Sequence, residues 1–145
     1  ALGFAAEAVS DLEAAVRHAD IVSCCTLSSD PLVHSEWLKP GAHLDLIGAF
    51  KPTMRECDDE AVRRAEIHVD TYEGALHEGG DLVQPLLNGV IIRSDIRSEL
   101  SELVRGKKPG RTDPSAITLF KSVGAALEDL AGAILAYERT TGKTA

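Results

Sequence analysis

Hydrophobic positions along this chain follow two rhythms: short unbroken runs, and longer stretches in which they recur every three or four residues. Ile21-Val22-Ser23-Cys24-Cys25-Thr26 is a continuous β-rich run, the pattern of a strand covered on both faces of a parallel sheet. His43 to Ala49, Glu66 to Asp70 and Phe4 to Val9 are further strand candidates. Between them, Leu12, Ala15, Val16 and Ala19 recur at helical spacing, and Ala61, Val62 and Ala65 fill one face of a second helix. Strand and helix alternate, which predicts an α/β fold built on a parallel sheet with flanking helices.

Polar punctuation refines these elements. Ser10 and Glu13 have the spacing of a capping box opening the first helix, which Asp20 ends. Leu27 to Pro31 is a turn, and Trp37-Leu38 lies in a short helical piece stopped by Pro40-Gly41. The strand from His43 breaks at Gly48, and a second capping box, Thr53 and Glu56, predicts that the chain restarts there as a helix. Tyr72 to Leu76 begins a helix that Gly79-Gly80 interrupts. Ile92, Ile96, Leu100 and Leu103 mark a helix ending at Gly106. Residues 105–114 hold four basic residues with two Gly and two Pro, and read as an exposed loop. From Phe120 a long helix is expected, with Val123, Leu127, Leu130, Ile134 and Tyr137 on one stripe.

Composition excludes several roles. The net charge of −8 argues against nucleic acid, whose recognition needs a basic face. No apolar run approaches the ~18 residues of a membrane span, and the start lacks the basic and apolar regions of a signal peptide. Cys24, Cys25 and Cys57 are an odd set without C-x-x-C spacing, so a reducing cytoplasm is the expected location. A chain of 145 residues suffices for one core. It opens at Ala1 without Met, on elements that belong in the middle of a sheet, and is expected to be a fragment.

Candidate chemistry concentrates at strand ends, where open α/β sheets collect ligands. Thr26 ends its strand with a hydroxyl that suits either a ligand or the core, while Cys24 and Cys25 read as small core residues. Gly48-Ala49 permits close approach of a ligand to the backbone, and equally suits a turn with an unusual backbone angle. Ser122 and Gly124 fit a ligand-facing helix start or an ordinary cap followed by a packing glycine. The five histidines lack ligand spacing, so no metal is expected. The acids from Glu56 to Glu60 read as a helix's first turn, favoured by its dipole. Arg105-Gly106-Lys107-Lys108 lacks the P-loop pattern.

Ala19-Asp20-Ile21-Val22, Leu38-Lys39-Pro40-Gly41-Ala42-His43, Gly48-Ala49 with Arg55-Glu56, and Phe120-Lys121-Ser122-Val123-Gly124 with Glu128-Asp129 together resemble the ornithine cyclodeaminase/mu-crystallin family, in that family's own order. The resemblance implies a partial Rossmann-like NAD(P)-binding domain over residues 1–115. Residues 116–145 would be a C-terminal helix returning to a dimerising substrate domain. Thr26 and Leu27 would border the nicotinamide nucleotide, Ile47, Gly48 and Ala49 would line its ring, and Ser122 would reach it. The Gly-rich phosphate loop, the ribose-reading residue and the substrate-binding Arg and Lys of that family fall upstream of Ala1. The fragment alone is therefore expected to bind cofactor weakly or not at all and to be inactive.

Within the family, cyclodeaminases place an Asp just after the glycine pair. Here Phe50 stands there, and it cannot transfer a proton. The sequence thus looks more like the branch that reduces cyclic imines such as pyrroline- or piperideine-2-carboxylate to proline or pipecolate with NAD(P)H, as a homodimer when full length. The alternatives are an ornithine cyclodeaminase, releasing proline and ammonia, and a non-catalytic crystallin-like NADP-binding protein.

Overall fold

A computed structural model of the chain describes Gly3 and residues 5–143. Five parallel strands form one sheet: β1 (Ile21–Cys24), β2 (His43–Leu46), β3 (Glu66–Val69), β4 (Ile96–Glu99) and β5 (Thr118–Lys121). Their order is β1-β2-β5-β3-β4, so the last strand in sequence lies in the middle of the sheet. Register keeps the carboxyl ends of four strands level. Cys24 is opposite Leu46, Leu46 opposite Lys121, and Lys121 opposite Val69.

Among the described residues six α-helices accompany the sheet: α1 (Leu12–His18), α2 (Asp59–Arg64), α3 (Tyr72–His77), α4 (Gly80–Leu87), α5 (Leu100–Val104) and α6 (Ala126–Thr141). Leu44, Leu46, Ile67, Val69 and Leu119 from the central strands pack with Val33, Val62 and Leu82 in one buried core. These are branched side chains in short runs, the composition that lets a parallel sheet be covered on two sides. None of the described helices is long and apolar enough to cross a membrane.

Several elements differ from the sequence pattern, each for a physical reason. The cap of α1 is Asp11, whose carboxylate accepts from the Ala14 amide at 2.9 Å, while Glu13 instead pairs with Arg17. β1 is an edge strand among the described residues, and its Ile21 is 68% exposed rather than covered. Residues 5–9 form no strand, and Phe4 lies outside the described residues. No helix begins at Thr53; α2 starts at Asp59 with Asp58 as its cap, because Glu56 is drawn into the core.

The apolar spacing from Ile92 to Leu103 imitates a helix but spans three elements: a 3-10 turn at Arg93–Asp95, β4 and α5. In β4 the inward residues are Ile96 and Ser98, two apart. The helix begun at Tyr72 is interrupted at Gly79-Gly80 as expected, since α3 ends at His77, and the same pair opens a second helix, α4, which tolerates Pro85. A Cβ on Gly80 would overlap the Met54 carbonyl, so the glycine lets α4 seat against residues 51–54. Phe120-Lys121 belongs to β5, and the final helix starts only at Ala126. Along that helix Leu127 (75% exposed), Leu130, Ile134, Leu135 and Tyr137 face solvent, and no residue of α6 is buried.

Candidate active site

Because all five strands run parallel with level ends, the exits of β1, β2, β5 and β3 gather on one edge of the sheet. Short links bind these exits together. The amides of Ile47 and Gly48 donate to the Cys24 carbonyl at 2.8 and 3.2 Å, Ser122 N donates to Leu46 O at 3.1 Å, and Asp70 N to Lys121 O at 3.1 Å. Thr26, Ile47, Gly48, Ala49 and Ser122, far apart in sequence, thereby sit on neighbouring exits, with Leu27 following Thr26.

A single carboxylate organises the first two exits. Glu56 is fully buried. Its Oε1 accepts from Thr26 N at 2.6 Å and from the Thr26 hydroxyl at 2.8 Å, and its Oε2 from Gly48 N at 2.9 Å and Ala49 N at 3.2 Å. Four donors on one side chain meet the demand of a buried carboxylate, whose burial without partners would cost far more than that of a neutral polar group. Gly48 is required by this arrangement: a Cβ there would overlap the Thr26 backbone and Glu56 Oε1. Its φ is not positive, so the need is for space rather than for an unusual backbone angle.

Asp70, at the end of β3, performs the same service for β5. Its Oδ2 accepts from the Ser122 hydroxyl at 2.9 Å, Val123 N at 2.8 Å and Gly124 N at 3.0 Å, and Oδ1 accepts from Thr71 N. Ser122 therefore stands in a loop at the strand exit, not at the start of the last helix as its sequence neighbours suggest. Behind both loops lies a buried ion pair. Lys121 Nζ is 3.2 Å from Asp81 Oδ2, both fully buried, and Asp81 Oδ1 accepts from the amides of Glu56 at 2.7 Å and Cys57 at 3.2 Å.

What the edge shows to solvent is different in kind. Leu27, Ile47 and Phe50 are exposed apolar side chains at the exits of β1 and β2, with Phe50 41% exposed. The Lys51 ammonium lies 5.6 Å from the Phe50 ring centroid. No carboxylate stands at position 50 to exchange a proton. Of the two thiols near this edge, Cys24 is pushed up to about 12 by burial and then by the charges of Glu56 and Asp81, so it is not a thiolate nucleophile. Among the described residues no cluster of metal-ligating side chains converges.

The pattern along the chain points to the exits but not to Glu56, Asp70, Asp81 and Lys121, which hold them. It puts Glu56 in a helix's first turn. A signal for the role of Glu56 exists only in three dimensions, since its partners lie 7 to 30 residues away. Asp58 and Asp59 do occupy the cap and first turn of α2.

Known proteins resemble this chain in sequence and in fold. The Delta(1)-pyrroline-2-carboxylate reductase of Paracoccus denitrificans is 45% identical over 123 residues, covering 85% of this chain and 39% of that protein. Ketimine reductase mu-crystallin of Mus musculus is 43% identical over 129 residues, covering 89% and 38%. The structure of Thermococcus litoralis Delta(1)-pyrroline-2-carboxylate reductase in complex with NADH and L-proline superposes with a TM-score of 0.86 at 42% identity, covering 90% of this chain and 40% of that one. The chain thus spans about two fifths of the length of these relatives. The model of the ornithine cyclodeaminase/mu-crystallin family matches residues 1–144, and the chain belongs to that family.

Proposed function

We propose that the whole protein carrying this chain reduces a cyclic imino acid to the corresponding cyclic amino acid with NAD(P)H. The observation that carries this reading is Phe50, an exposed apolar side chain at the β2 exit where ammonia elimination would need an acid. Similarity to reductases of cyclic imines supports the same branch.

On this reading Thr26, Leu27, Ile47, Gly48, Ala49 and Ser122 border the nicotinamide nucleotide, which supplies the hydride when bound. The chain's own part is to hold a flat, apolar floor under the ring and to keep water from the reacting carbon with Leu27, Ile47 and Phe50. Residues 1–115 then belong to the dinucleotide-binding domain. The last helix, with its exposed row from Leu127 to Tyr137, packs in a substrate and dimerisation domain of a cytoplasmic homodimer.

The test is turnover by the whole protein. Pyrroline-2-carboxylate with NADH or NADPH should give proline and loss of the reduced nicotinamide absorbance. Ammonia and proline from ornithine and NAD would instead identify a cyclodeaminase. Dinucleotide binding without turnover of any cyclic imine would mark a ligand-carrying protein.

A further inference from the structure

The amides of the strand exits are turned inward, and that fixes what a ligand meets there. Glu56 consumes the N–H groups of Thr26, Gly48 and Ala49, and Asp70 those of Thr71, Val123 and Gly124. Among the described residues no peptide bond is cis, so each carbonyl points opposite to the N–H of its own peptide unit. The carbonyls of Cys25, Ile47, Ser122 and Val123 therefore point away from the two carboxylates. Among the described residues none of the four accepts a backbone hydrogen bond outside the strands or one from a side chain.

The Thr26 hydroxyl is committed in the same sense. It donates to Glu56 and accepts from Ser28 N at 3.3 Å. Charge adds to the polarity, since Glu56, Asp70 and Asp81 are all buried behind this edge and Lys121 pairs with only one of them.

We infer that Glu56 and Asp70 are positioning residues that make this edge a surface of acceptors, selecting a ligand group that donates N–H bonds, here the carboxamide NH2 of a nicotinamide ring. The same arrangement leaves no free amide cradle for phosphate at these exits, in contrast to helix N-termini that bind anions. The inference rests on the dinucleotide reading above and names the chemistry by which the ring end is recognised.

The experiment compares NAD with its 3-acetylpyridine analogue, in which a methyl group replaces the carboxamide NH2, by calorimetric titration of the whole protein. NAD should bind about tenfold more tightly, because the analogue leaves a desolvated carbonyl unpaired. Equal binding of the two overturns the inference while leaving the dinucleotide reading intact. Binding of neither overturns that reading and this inference with it.

Glu56→Gln then tests the positioning role. A glutamine keeps one accepting oxygen and replaces the other with an NH2 group, so it releases one of the two amide sets and should bring the affinity ratio to within about threefold. Glu56→Asp, which keeps both acceptors, should restore part of the gap. A purely structural role would weaken both dinucleotides alike and leave the ratio unchanged, which would refute the assignment. If Glu56→Gln does not fold, Asp70→Asn provides the same comparison on the β5 side, and the wild-type ratio stands as a test without any variant.

Discussion

Replacing Lys121 with Met isolates the energetic role of the buried pair behind the strand exits. The two side chains have similar volume, so little is lost from packing, although the Lys121 stem lies close to Gly79, its Cε 3.1 Å from where a Cβ on that residue would be. What remains is Asp81, fully buried, without the cation 3.2 Å from its Oδ2. Breaking a buried pair from one side typically costs about 3–5 kcal/mol. Asp81 keeps two amide donors, those of Glu56 and Cys57, which places the expected loss at the lower end, about 3 kcal/mol. With a urea slope of roughly 2 kcal/mol/M, the unfolding midpoint should fall by about 1.5 M. Asp81→Asn should cost a comparable amount, since its new amide faces the ammonium. The double variant should be milder than the sum of the two by about 2 kcal/mol, because the asparagine side chain retains the oxygen that the two amides need while the charge is gone from both partners. A midpoint shift below about 0.5 M for Lys121→Met, or strict additivity in the cycle, would refute this account.

Three further outcomes follow from the same geometry. Burial holds the His43 and His68 imidazoles below their ordinary 6.5, so below that pH the unfolded chain binds more protons and stability falls until the native rings titrate; urea midpoints should be lower at about pH 5.5 than at about pH 7.5. His68 Nε2 has no hydrogen-bond partner among the described residues, so His68→Gln should narrow that difference, and an unchanged pH profile would contradict the assignment. Cys25 is exposed while Cys24 and Cys57 are buried with raised pKa, so a thiol reagent should label one cysteine in the native protein and three in denaturant; rapid native labelling of two would show that a core thiol is accessible. Gly48→Ala places a Cβ against backbone that no side-chain rotation can clear and should cost about 3 kcal/mol by thermal or urea unfolding; a loss below about 1 kcal/mol would show that the Thr26 and Gly48 loops can part.

The alternation of strands and helices is legible because β1, β2 and β3 are short branched runs flanked by periodic helices. β4 is not, because Ile92, Ile96, Leu100 and Leu103 are spaced four, four and three apart and satisfy a helix template, while only Ile96 lies in the strand. β5 is hidden for a related reason. Ile117 to Phe120 is a strand-like run, but Lys121 and Ser122 follow without a break into a helical stripe, and a lysine in a central strand contradicts its usual preference for the surface. Only the Asp81 carboxylate, supplied by a helix that opens on two glycines and contains Pro85, makes that lysine tolerable in the core.

The strand exits are thus easier to find from sequence than the cause of their shape. Gly48 reads as a glycine that lets a ligand approach, yet the space its side chain would fill belongs to Thr26 and Glu56. Glu56 reads as a helix-start acid, since residues 56–60 match what a helix dipole favours. In the fold the two belong together. A buried carboxylate can be kept only if several donors converge on it, and the amides of two strand exits converge only if the glycine between them has no side chain. Once those donors are spent internally, the outward face of the same loops is left with carbonyls and with the apolar tips of Leu27, Ile47 and Phe50. The glycine therefore bears on ligand chemistry indirectly, by allowing the carboxylate that sets the polarity of the loop.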